Sequence, residues 1–196
     1  VSTAFEVDNS NYDGYANYNK VIAVCGVSDT NGAVAYSEKG ANLWVCGRTL
    51  RWGVNGNGVF TTDLTGTAGY NSDGSFNYSS LTSSTSAYTN YFSGTSAAAP
   101  MVAATSALIL KARPSLSWRD VRYALARTAT SISGGDWTQN SAGRWVNHSF
   151  GFGAVDSDAA VAYATAMTPL GSQVTYDSGT VTVNQSIPDN SVAGVA

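Results

Sequence analysis

The hydrophobic and polar positions change pattern several times along the chain, and each change predicts an element. Residues 21 to 28, VIAVCGVS, form an unbroken apolar run, and a shorter one, Leu43-Trp44-Val45-Cys46, ends at Gly47. Apolar runs of this length bounded by Gly and Asn predict buried strands of a parallel sheet. From Thr49 to Phe92 the chain is dense in Gly, Asn, Ser, Thr and Tyr without periodicity, which predicts long surface loops and short hairpins. Helical spacing begins at Ser96 and runs to about Lys111, with Met101, Val102, Leu108 and Ile109 on one stripe and Pro114 as the stop. Pro100 falls in the first turn, where a missing N–H is tolerated. A second helix is expected from Ser117, whose hydroxyl and Asp120 nearly make a capping box ahead of Val121, Leu125 and Thr128, and a third from Asp156 to Met167. After Pro169 the pattern alternates, in Val174-Thr175-Tyr176 and Val181-Thr182-Val183, as the opening of a separate all-β domain would. The sum is an α/β fold with a different C-terminal end, and there is no internal repeat of solenoid period.

Composition narrows the class. The 196 residues are enough for one medium domain, and only 12% are charged. Small and hydroxylated residues dominate the rest, a mix that suits secreted, loop-rich proteins. Ten basic against thirteen acidic residues give a net charge of -3, so no footprint for nucleic acid or an anionic membrane is visible. Any preference for basic ligands must come from a local site. Cys25 and Cys46 match neither a zinc pattern nor CxxC, and fit one disulfide or two buried thiols. No run approaches 18 apolar residues, and the opening Val-Ser-Thr-Ala-Phe-Glu lacks the regions of a signal peptide, so the chain is expected to begin downstream of any signal.

Residues 94 to 100, Gly-Thr-Ser-Ala-Ala-Ala-Pro, carry the candidate chemistry. A serine in the first turn of a long helix sits among unpaired N–H groups at the positive end of the dipole, which favours the anion formed during acyl transfer. Gly94 lets the chain turn sharply, and the alanines leave room for substrate and for close helix packing. Three such residues alone would mark an ordinary small-residue helix start. All seven, followed by an apolar helix, resemble the nucleophile motif of the subtilases. Asn11-Tyr12-Asp13-Gly14-Tyr15, Ala35-Tyr36-Ser37-Glu38, Leu116-Ser117-Trp118-Arg119-Asp120 and Ser149-Phe150-Gly151-Phe152-Gly153-Ala154-Val155-Asp156 extend the resemblance over most of residues 8 to 167 and resemble the kexin and furin branch. The stretch from Val183 to Asn190 is similar to the opening of that branch's P domain, a β-sandwich.

The resemblance implies a subtilisin-like parallel sheet flanked by helices over residues 1–168, the C-terminal part of a catalytic domain, with 169–196 as linker and P-domain start. It implies a serine endopeptidase with Ser96 as nucleophile, secreted or otherwise extracytoplasmic, acting on proteins or peptides. It further implies contact with the rest of the catalytic domain and with a propeptide, chaperone or inhibitor. In this family the acid and base precede the serine. The one histidine, His148, follows Ser96 by about fifty residues and reads as structural, hydrogen-bonded near the next helix. The catalytic Asp, His and oxyanion Asn are therefore expected upstream of Val1, which makes the chain a fragment of a larger one, inactive alone. Two other classes compete: an α/β-hydrolase using Ser96, Asp120 and His148 in that order, though without the second elbow glycine, and a binding module built on the Tyr-rich stretch from 61 to 93.

Three site expectations follow from the resemblance. Cys25 and Cys46 fall in strands that the family's sheet places side by side, about 4.8 Å apart, within reach of a disulfide, while two thiols remain the alternative. Asp8 and Glu38 match ligands of a calcium ion under the first specificity pocket, with a further ligand upstream. Asp13 matches an acid that selects Arg or Lys before the scissile bond. Its alternative is to cap its own turn, as Asp before Gly commonly does.

Overall fold

The structure is a computed structural model describing residues 8–49, 58–65, 68–70, 87–135, 137–176 and 179. The two apolar runs form strands β1 (Ala23–Ser28) and β2 (Leu43–Thr49), paired in parallel with Cys25 opposite Cys46. Both are almost wholly buried because both faces are covered. Ala23, Cys25 and Val27 face a layer holding Ile132, Phe150 and Ala154. Ile22 and Val24 turn to the opposite side, against a cluster of helix residues that includes Ile109, Leu125 and Ala160. Cys25 and Cys46 are joined by a disulfide, so of the two alternatives the structure takes the pair.

Three helices build the second layer: α1 (Thr95–Ala112), α2 (Trp118–Thr128) and α3 (Ser157–Ala166). Their starts match the sequence reading within a residue. Ser117 caps α2 through a complete box, its hydroxyl accepting from the Asp120 amide while the Asp120 side chain accepts from the Ser117 amide. Asp156 caps α3 through the Ala159 amide. The expected apolar stripe of α1 is corrected, since Leu108 is 49% exposed and Met101 only half-buried. The buried face is Ala97, Ala98, Val102, Thr105 and Ile109. Small residues face inward because α1 crosses β2 closely: a Cβ on Gly47 would lie 2.3 Å from the Ala98 carbonyl oxygen. With 18 residues and a mean hydropathy of 1.2, α1 also meets the length and composition of a membrane span. Here its inward face packs on β1, β2 and α3.

An antiparallel pair of β3 (Val59–Thr62) and β4 (Tyr88–Phe92) precedes α1, and a small hairpin of β5 (Thr138–Gln139) and β6 (Trp145–Val146) follows α2. Val174 and Tyr176, read as the start of a β-domain, lie in no strand and are 91% and 90% exposed. Two alternating residues supply the pattern of a strand, but among the described residues no partner strand lies against them. Val181–Val183 and the stretch from Val183 to Asn190 lie outside the described residues.

Candidate active site

Ser96 is the second residue of α1, and the end of β2 fixes where that helix begins. Gly94, the helix cap, has φ 83°, a left-handed conformation that favours glycine. Its carbonyl accepts from the Ala97 amide at 3.0 Å and from Thr49 Oγ1, at the end of β2, also at 3.0 Å. Thr49 is buried and bonds in turn to the Tyr36 hydroxyl at 3.1 Å. Strand end, turn and helix start are thus one hydrogen-bonded unit. Ser96 is exposed, and neither its hydroxyl nor its amide has a partner among the described residues. With no acidic side chain in the first turn, the positive end of the helix is uncompensated. An exposed hydroxyl beside a free amide can attack a carbonyl carbon and donate to the oxygen that becomes negative.

A cavity of about 230 Å³ lies beside this helix start, with Thr95 at one wall and Ser10, Ala16, Tyr36 and Glu38 among the others. Asp13 closes the 3-10 turn Ser10–Tyr12, and its Oδ1 accepts from the Tyr15 and Ala16 amides at 2.8 and 3.0 Å. It is exposed, and it caps the very turn that sets Ala16 in the cavity wall. Asn9 pairs in parallel with Lys39, and the Ser10 amide donates to the Lys39 carbonyl at 2.9 Å. That pairing sets Asp8 and Glu38 at matching positions of adjacent segments. The Asp8 carboxylate accepts from the Asn9 amide at 2.7 Å. Among the described residues no three acidic, His or Cys side chains cluster as a metal site, so these two carboxylates could supply only part of a calcium shell.

His148 is exposed, and what anchors it is its backbone carbonyl, which accepts from the Gly40 amide at 2.8 Å, rather than a bond toward the next helix. Asp120 cannot orient a histidine: its Oδ2 accepts from the Ser117 amide and hydroxyl, and its Oδ1 from the Leu170 amide. The α/β-hydrolase order loses its acid. Most of the stretch from 61 to 93 lies outside the described residues. Sequence reasoning missed Thr49, because a bond to a residue 45 positions away leaves no local signal.

Comparison with known proteins gives a consistent result. A family model described as the Subtilase family matches residues 4–153. A "Calcium-dependent protease" of Trichormus variabilis is 38% identical over 83% of this chain and 23% of its own length. A "Dibasic-processing endoprotease" of Yarrowia lipolytica is 31% identical over 93% of the chain and 17% of its own. The crystal structure of a serine protease of Aeromonas sobria superposes with a TM-score of 0.69 at 27% identity, covering 76% of this chain and 30% of that one. The same protease has been solved with a chaperone, ORF2. The chain spans less than a third of the length of each of these three proteins.

Proposed function

This chain belongs to the subtilase family, and from that premise we propose that it carries the nucleophile of a serine endopeptidase of the kexin and furin type that cleaves after basic residues. The observation that carries the proposal is Ser96, exposed in the first turn of an uncompensated helix end beside its own free amide. Its Oγ gives its proton to the base and attacks the scissile carbonyl, and the Ser96 amide donates to the oxyanion. Collapse breaks the C–N bond and expels the amine, which takes that proton; water then hydrolyses the acyl-enzyme. The base, its orienting acid and the oxyanion asparagine come from residues outside this chain, since the family's order puts the base before the serine and the one histidine, His148, follows Ser96. These 196 residues alone are therefore inactive.

Asp13 selects Arg or Lys, and the dibasic preference in the name of the Yarrowia relative supports this. Its Oδ2 is the oxygen left over for a guanidinium or ammonium, because Oδ1 caps the turn. Asp8 and Glu38 hold a calcium ion together with oxygens from outside the chain, which the calcium named in the Trichormus relative supports. When bound, the ion would tie the segment before Ser10 to the one before Lys39. Residues 1–168 belong to the catalytic domain and 169–196 lead into a P domain. The protein is extracytoplasmic, in keeping with its disulfide. Its partners are peptide substrates and a propeptide, inhibitor or chaperone, as the Aeromonas complex suggests for that relative.

The test treats the intact protein with an organophosphate. The adduct is expected on Ser96 by mass spectrometry, and Ser96→Ala is expected to lose the label and about 10³-fold or more of kcat. Activity of Ser96→Ala within about tenfold of the parent would sink the assignment.

A further inference from the structure

A second cavity, of about 310 Å³, lies between β2, the start of α2 and the chain that leaves α3. Its walls are carbon-rich, formed by Trp44, Trp118, Tyr123 and Leu170, while Arg119 and Arg122 stand one turn apart on α2. The Arg122 guanidinium lies 4.0 Å from the centre of the Trp44 ring, whose Nε1 donates to the Arg122 carbonyl at 2.8 Å. Arg122 Nη1 donates to the Asn19 carbonyl, but Nε is buried and meets no acceptor. Burial pushes the Arg122 pKa below its ordinary value, the mark of a desolvated cation. Arg119 Nη1 donates to the Gly171 carbonyl at 3.0 Å.

Neither arginine has a carboxylate partner within bonding distance among the described residues. The carboxylate whose charge acts on Arg119 is Asp120, and both its oxygens are already taken by Ser117 and Leu170. Partly desolvated cations without a carboxylate partner are costly, and an anion beside the two guanidinium groups lessens that cost by its charge, even though it cannot reach the buried Nε. The carbon walls require the rest of the ligand to be apolar, and the volume suits one aromatic or branched group rather than an extended segment. We propose that the cleft binds a small apolar carboxylate, with an aromatic or branched aliphatic group set against Trp44 and Trp118 and its carboxylate facing Arg119 and Arg122. The site is separate from Ser96 and independent of the protease reading.

The experiment titrates the intact protein, with Ser96 blocked by organophosphate, with hydrocinnamate, its neutral amide and phenethylammonium, followed by tryptophan fluorescence and ligand-observed NMR. Hydrocinnamate is expected to bind saturably, with the amide and the ammonium at least about tenfold weaker. Arg122→Ala removes packing on Trp44 and risks the fold, so the variants are Arg119→Gln and Trp118→Ala, at a tryptophan already 39% exposed. Each is expected to weaken hydrocinnamate about fivefold or more while leaving the melting temperature near that of the parent. Equal binding of acid and amide overturns the proposal. So does affinity unchanged by both variants, or no saturable binding at all, as when another part of the intact protein already fills the cleft.

Discussion

Asp13 caps its own turn, and the proposed role of selecting a basic residue would sit beside that one without conflict. Its Oδ1 is committed to the Tyr15 and Ala16 amides, and that bond pair is local, structural and neutral to the choice of substrate. Only the charge distinguishes a selector from a cap. Asparagine keeps an Oδ1 acceptor and removes the charge, so Asp13→Asn separates the roles. In the intact enzyme it is expected to lower the preference for Arg over Leu before the scissile bond, measured as a ratio of kcat/KM, by about tenfold or more. The melting temperature should stay near that of the parent. A ratio left unchanged would reduce Asp13 to the cap it visibly is.

The elements were legible where their cause is local. The capping box of α2 spans three residues, so Ser117 and Asp120 announce it. The bond from the Leu170 amide to Asp120 spans fifty, and nothing near Asp120 signals it. Together these bonds define what the carboxylate does. Burial raises its pKa, but the Ser117 hydroxyl, the Leu170 and Ser117 amides and the charge of Arg119 outweigh it and hold it below the usual carboxylate value. A carboxyl lowered on folding adds stability that is present above its unfolded pKa and is lost as pH falls through the folded one. Asp120→Asn is therefore expected to cost about 1–3 kcal/mol at neutral pH, with the difference from the parent shrinking as a denaturation series is carried below about pH 4. A pH-independent difference would refute the charged role. The two strands were readable as unbroken apolar runs, but Leu108 was misassigned to the core. Leucine at helical spacing reads as buried, whereas the contact with Gly47 selects alanine. The proposal for Ser96 starts from its motif, while those for Asp8, Glu38 and Asp13 start from the family resemblance alone, because isolated exposed carboxylates carry no physical signal of their own.

At the scale of the whole molecule, distant segments are held by a few seams. The Asn9–Lys39 pairing ties the first described residues to the loop before β2, and the proposed calcium ion sits across it. An ion bound only by the folded state stabilises by mass action, about 2.7 kcal/mol at a hundredfold excess over its dissociation constant. Chelation of the intact enzyme is expected to lower its melting temperature by several degrees. Asp8→Asn combined with Glu38→Gln should abolish that drop, and a drop of the same size in the double variant would remove these residues from the shell. The other seam, between Cys25 and Cys46, is covalent and sealed, both cysteines being essentially inaccessible. Between them the chain passes through exposed positions such as Asp29, Ala33 and Lys39. A cut in this stretch, of the kind a proteolytic enzyme inflicts on its own copies, would leave two polypeptides that are still a single molecule. Nicked protein should migrate as one band without reductant and as two with it, and mild reductant should not separate the pieces until the fold is opened.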